Sequence, residues 1–152
     1  MRPTKIGHVA LKVRDLGEAE AFYTDVLGFE VVTRFDRPRG VFLSLGVQHH
    51  DLALFEVSAA AADPADDQVG LHHVALQVES FEALKDAHAD LMRLGVRILR
   101  AVDHGTTNSI YFRDPAGNKL ELYCDVGTDG LARARRRTAR SGDDFPALTL
   151  ES

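Results

Sequence analysis

Cysteine is nearly absent from this chain. Cys124 is the single one among 152 residues, which excludes an internal disulfide and any multi-cysteine metal site and fits a reducing compartment. Long apolar runs are missing as well. No stretch approaches the roughly 20 residues that span a bilayer. The first residues, MRPTKIGHVALKV, lack the charged-then-apolar layout of a secretion signal, so the expectation is a cytoplasmic protein that does not enter membranes. There is no excess of positive charge either: a net charge of −5 argues against general nucleic-acid binding. The local exception, RARRRTAR at residues 133–140, reads as a solvated basic patch. What is present is 45% hydrophobic and 27% charged residues, the balance of one compact domain of about 100–150 residues.

The sequence repeats itself. His8-Val9-Ala10-Leu11-Lys12-Val13 returns as His73-Val74-Ala75-Leu76-Gln77-Val78, displaced by 73 − 8 = 65 positions. In the first copy this alternating strand leads to Asp15 as an N-cap with Glu18 three residues on, and then to the helical spacing of Ala19, Phe22, Tyr23, Val26 and Leu27, closed by Gly28. In the second copy Ser80 is the cap and Leu84, Ala87, Leu91 and Leu94 carry the helical period up to Gly95. Three β-rich runs follow each glycine: FEVVTRF, VFLSLG and DLALFEV, then VRILRAV, SIYFRD and NKLELYCD. Each half is therefore a βαβββ unit, residues 5–57 and 71–124. A linker of alanine, proline and aspartate at 58–70 joins them, and together they make a domain over 1–125 with a tail at 126–152 whose structure stays open. The expected class is α+β, with paired modules forming a curved, partly closed mixed β-sheet barrel.

The displacement recurs in the last strand of each half, where Glu56 and Glu121 also lie 121 − 56 = 65 apart. Two histidines and two glutamates at matched strand positions suggest a shared purpose, because burying four ionisable groups together is costly unless a cation compensates. The expectation is a metal site inside the sheet drawing on His8, His73, Glu121 and Glu56. Imidazole with carboxylate suits Fe(II), Mn(II), Zn(II), Ni(II) or Co(II), and two histidines with one carboxylate leave positions open for substrate and dioxygen.

With these residues on view, residues 5–125 resemble the vicinal oxygen chelate superfamily, which includes glyoxalase I, methylmalonyl-CoA epimerase, fosfomycin- and bleomycin-resistance proteins and type I extradiol dioxygenases. The stretch HGTTNSIYFRDPAGNKLELY, residues 104–123, is similar to the extradiol signature through His104-Gly105, Tyr111, Asp114-Pro115 and Glu121. QHHDLAL, residues 48–54, resembles the stretch that carries the acid/base histidine of that family, here His50. The resemblance implies ring cleavage of an aromatic diol by dioxygen at Fe(II) or Mn(II), with His8, His73 and Glu121 as ligands, His50 as acid/base, and Tyr111 and His104 as polar contacts to substrate. It also implies a homodimer. Two departures stand out: the chain has a single pair of modules where many extradiol enzymes have two, and Glu56 occupies the place of a fourth ligand in the glyoxalase and epimerase branches.

Strand alternation sets His50, Leu52, Leu54 and Glu56 on one face, which favours His50 over His49 as the residue sharing a cavity with Glu56. The rival reading is a lyase or isomerase of the glyoxalase or epimerase kind that uses Glu56 as fourth ligand or base at Zn(II), Ni(II) or Co(II). A third reading is a protein that sequesters a drug or metabolite without chemistry. The substrate has no readable code in the sequence.

Overall fold

The structure is a computed structural model that describes residues 2–130, 132 and 146–150; the basic run at 133–140 lies outside them. Contacts divide the chain into two units, residues 1–70 with Asp114–Asn118, and residues 71–113 with 119–152. Each contains one four-stranded sheet of mixed direction, and neither sheet closes on itself. The α+β class read from the sequence holds.

In the first unit β1 (Val9–Val13) leads to α1 (Leu16–Ala21), a π-helical turn (Phe22–Val26), β2 (Glu30–Asp36), β3 (Arg39–Ser44) and β4 (Leu52–Glu56), in the spatial order β1-β4-β3-β2. The helix starts where the capping rule places it: Asp15 is extended, and its carboxylate accepts the Glu18 N–H at 2.9 Å. It stops at Gly28, which adopts φ +73°, a conformation open to glycine because it has no Cβ. Alternation then decides what the sheet buries. Leu11, Val13, Val41, Leu43, Leu52 and Leu54 are each 3% exposed or less, and α1 packs on β4 and β3. Each such leucine contributes roughly 2–3 kcal/mol by leaving water.

The second unit repeats the plan with β5 (Val74–Gln77), α2 (Phe81–Arg93), β6 (Ile98–Asp103), β7 (Thr107–Arg113) and β8 (Lys119–Asp125), in the order β5-β8-β7-β6. Ser80 caps α2 by accepting the Ala83 N–H at 3.1 Å. Gly95 and Val96 close the helix by donating to Met92 and Leu91. Leu84 and Leu91, two turns apart, are its buried contacts, and the helix packs on β8 and β7. Part of the tail has a place in this unit. Pro146 accepts from Asp103 and Leu148 donates to Ala101, each at 3.1 Å, so Ala147 pairs antiparallel with Val102 along the outer edge of β6. No helix among the described residues is long and apolar enough to cross a membrane.

Candidate metal centre

In the second unit the candidate residues converge on Glu121. The parallel pairing of β5 with β8 sets Ala75 beside Glu121, and the antiparallel pairing of β7 with β8 sets Tyr111 on its other side. Glu121 is 7% exposed, so its carboxylate needs partners on both oxygens. It has them: Oε1 accepts from the Tyr111 hydroxyl at 2.9 Å, and Oε2 lies 2.8 Å from His73 Nε2. His104 Nε2 stands 3.0 Å from the same hydroxyl. Since the hydroxyl spends its one proton on Glu121, His104 must donate to it, which fixes the His104 proton on Nε2. Burial first, and then the Glu121 charge, push the Tyr111 phenol up to about 12, so it stays a proton donor at neutral pH. The guanidinium of Arg100 covers the Tyr111 ring, 4.7 Å from its centroid.

His8, His50 and their neighbours form a second cluster, in the first unit. The His8 and His50 ring centroids are 4.4 Å apart, and His50 stacks on Phe42 at 4.2 Å with only 7° between the planes. His50 Nδ1 lies 2.6 Å from His49 Nδ1, while its buried Nε2 has no hydrogen-bond partner among the described residues. Burial, and then the neighbouring His8 and His49, hold the His50 pKa below the ordinary histidine value. The ring is therefore neutral at pH 7, with one nitrogen already engaged and the other unsatisfied.

Glu56 does not occupy the position that the repeat suggests. By register Ala10 pairs with Ala53 where Ala75 pairs with Glu121, so the counterpart of Glu121 is Ala53, three residues before Glu56. The helices and connections between first and last strand differ in length in the two halves, and the 65-residue spacing of the two glutamates does not reflect matched sites. Glu56 pairs with Val13 and turns toward α1, where it accepts the Leu16 N–H at 3.2 Å. Arg39 Nη1 holds both of its oxygens, at 2.7 and 2.8 Å, and this contact above all keeps the carboxyl below its usual pKa.

The grouping of His50 with Glu56 fails for a related reason. Alternation carries from β4 only as far as its first residue, Leu52. Before it Asp51 bends the chain, its carboxylate accepting from Leu45 N and Gln48 Nε2, each at 2.7 Å. His50 therefore lies against Phe42, the register partner of Ala53, on the face opposite Glu56.

Two further residues qualify the sequence reading. Asp114, the aspartate of the Asp-Pro turn in the extradiol-like stretch, is 4% exposed and serves the fold: it accepts from the Tyr23 hydroxyl at 3.0 Å and from Asn118 N and Nδ2 at 2.7 and 2.8 Å. Arg100 carries no signal in the sequence, because an arginine in a β-rich run has no period of its own. Its only precursor is structural, a register shift between Ile98 and Arg100 in β6. Among the described residues no group of three His, Cys, Asp or Glu side chains is assembled as a metal site. The donors stand instead as the His73–Glu121 pair and the His8–His50 pair. A buried carboxylate paired with imidazole is a donor set that a divalent cation of the Fe(II) or Mn(II) type accepts.

The chain and its fold resemble those of known proteins. Residues 5–122 match the sequence model described as Glyoxalase/Bleomycin resistance protein/Dioxygenase superfamily. The chain is 34% identical over 153 residues to biphenyl-2,3-diol 1,2-dioxygenase 3 of Rhodococcus globerulus, covering 96% of this chain and 80% of that protein. It is 33% identical to catechol-2,3-dioxygenase of Bacillus subtilis, with 80% of this chain matched but only 42% of that longer protein spanned. Among solved structures, a lactoylglutathione lyase from Agrobacterium tumefaciens superposes with a TM-score of 0.64 at 27% identity, over 82% of this chain and 96% of that one. The chain belongs to the Glyoxalase/Bleomycin resistance protein/Dioxygenase superfamily.

Proposed function

We propose that this protein opens the ring of a vicinal aromatic diol with dioxygen, breaking the carbon–carbon bond beside the two hydroxyls, and that His8, His73 and Glu121 hold the divalent cation this requires, Fe(II) first and Mn(II) next. The observation that carries the reading is the hydrogen-bonded chain from His104 through Tyr111 to Glu121 and His73. It gathers around one buried carboxylate the side chains that the extradiol resemblance calls for, and the similarity to two dioxygenases adds weight to it. A bound Fe(II) or Mn(II) would supply the redox chemistry and Lewis acidity that ring opening needs.

The residues of the chain do the rest. His50, neutral and with Nε2 free to accept, takes the proton of a diol hydroxyl and later returns it to oxygen, the work of a general acid/base. Tyr111 keeps its proton and donates it to an oxygen of the substrate once that oxygen competes with Glu121. His104 holds the phenol in orientation from behind. The stack of His50 on Phe42 fixes the imidazole and keeps water from its face. A homodimer and a cytoplasmic setting complete the proposal.

The lyase reading has relatives in its favour, but it asks for a second carboxylate, as fourth ligand, at the place where Ala53 stands. An oxygen electrode separates the two. Protein loaded with Fe(II) under anaerobic conditions is given a panel of mono- and bicyclic catechols. The expected result is oxygen uptake with a yellow ring-opened product, lost in His50→Phe. No uptake across the panel, together with turnover of a hemithioacetal, overturns the reading in favour of a lyase.

A further inference from the structure

Arg100, Tyr111, Glu121 and Ala75 form one row of register partners that crosses all four strands β6, β7, β8 and β5. Register partners share a face of the sheet, so the arginine belongs to the surface that carries Glu121 and Tyr111. Two strand spacings, about 10 Å in all, separate the backbones of Arg100 and Glu121, roughly the reach of one substituted aromatic ring. The arginine is also aimed. Arg100 pairs with Tyr111 but Ile98, not Leu99, pairs with Phe112, a bulge of the kind that redirects a neighbouring side chain. The redirected guanidinium lies over the Tyr111 ring at 4.7 Å and also hydrogen-bonds its hydroxyl, so the remaining N–H groups of its planar fork are the ones that face other acceptors.

Among the described residues no carboxylate answers that charge. Arg14, Arg34, Arg39 and Arg93 each have an acidic partner within 4.0 Å, but among the described residues Arg100 has none. It is exposed at its outer edge and held on its inner face by the tyrosine. A solvated surface arginine has no such support, since its rotamer freedom is kept in water. A guanidinium held on a shelf beside a buried carboxylate–phenol network is prepared for an incoming anion, and its fork fits a carboxylate through two parallel hydrogen bonds.

We infer that Arg100 is the specificity-determining residue of this site and that it selects substrates whose aromatic ring bears a carboxylate in addition to the two hydroxyls. The inference deepens the ring-opening proposal and rests on it for the diol, but the anion subsite can be tested alone. Tyr111 supports the face of the guanidinium, Arg100 receives the carboxylate, and the diol end of the same ring lies toward Glu121. A neutral ring of equal size satisfies the shelf and leaves the guanidinium solvated, so discrimination comes from the charge.

Two measurements decide the matter, and the first needs neither metal nor turnover. Isotope-labelled, metal-free protein is titrated with benzoate and with benzyl alcohol and followed by amide NMR. Benzoate should shift the amides around Arg100 and Tyr111, and Arg100→Gln should weaken its binding about ten- to a hundredfold, the usual worth of a charge-assisted contact. Arg100→Lys should recover part of the loss, and benzyl alcohol should not distinguish the three proteins. Equal benzoate affinity in wild type and Arg100→Gln, no benzoate binding to the wild type, or equal loss of both ligands overturns the inference. The second measurement uses the Fe(II)-loaded protein: Arg100→Gln should lower the ratio of kcat/KM for 3,4-dihydroxybenzoate over catechol at least tenfold, and an unchanged ratio counts against Arg100. Should no diol be turned over at all, the ring-opening proposal fails while the benzoate titration still decides the anion subsite.

Discussion

The Tyr111 hydroxyl donates its proton to Glu121 Oε1 across 2.9 Å, and both residues are nearly out of water, at 5% and 7% exposure. Phenol and carboxylate are direct cross-strand partners, so the bond is set by the pairing of β7 with β8. Removing the hydroxyl leaves a buried oxygen of Glu121 without its donor, which costs about 1–3 kcal/mol. Tyr111→Phe should therefore lose stability of that order in urea unfolding of the metal-free protein. An unchanged unfolding midpoint would show that water replaces the phenol and that Glu121 is less enclosed than its exposure indicates.

Glu56→Gln should leave metal stoichiometry and oxygen uptake close to the wild type. Its carboxylate is engaged by Arg39 and by the N-terminus of α1, on the face opposite Ala53. His73→Ala and Glu121→Ala, by contrast, should each abolish stoichiometric metal, because a three-ligand site has no spare donor. Elemental analysis of the anaerobically loaded variants checks both halves of the prediction. Metal lost from Glu56→Gln would restore Glu56 to the site.

His50→Phe should lower turnover by about 10²–10⁴-fold, the usual contribution of one general acid or base, while keeping or raising stability. The histidine leaves a buried nitrogen unsatisfied, and a phenyl ring retains the stack on Phe42 without that cost. The variant also changes the pH response. Because the folded protein holds His50 below its ordinary value of 6.5, the unfolded chain binds the proton more readily, and stability falls as pH drops from 6.5 toward the lowered native value. Thermal melts at pH 7.5 and pH 5 should differ less for His50→Phe than for the wild type. An equal pH dependence would assign the acid sensitivity to other groups.

Tyr23→Phe tests the buried turn. Tyr23 is fully buried and donates to Asp114 at 3.0 Å, leaving Asn118 as the other side-chain donor to that carboxylate. Burial raises the Asp114 pKa above 3.8 and its hydrogen bonds pull the other way. A raised native pKa means stability that is present below 3.8 and is lost as pH rises through the native value. Without the tyrosine donor the native value climbs further. The variant should be about 1–3 kcal/mol less stable at pH 7, with the deficit shrinking toward pH 4 in urea titrations; a deficit independent of pH would mean that packing alone is lost.

The sequence by itself determined the two βαβββ halves, the caps at Asp15 and Ser80, the glycine stops, and the family to which they belong. These follow from rules of short range. A helix period, an N-cap and a strand alternation depend on residues within a few positions of each other, and they can be read without knowing where the chain goes next. That His73, Tyr111, His104 and Glu121 lie together was also legible, because the spacing of a motif survives as long as the hairpin between its members keeps its length. Only the tertiary structure decided the rest. That Ala53 and not Glu56 is the counterpart of Glu121 depends on how β1 pairs with β4, and a shift of three residues places a side chain on the opposite face because strand side chains alternate. His50 left the face assigned to it because Asp51 bends the chain one residue before β4 begins. Arg100 emerged from a bulge and a row of pairings across four strands, none of which leaves a trace in its neighbours. Register between strands is set by turn lengths and by burial summed over the whole sheet, so the partners of a strand residue lie tens of positions away, beyond the reach of local pattern.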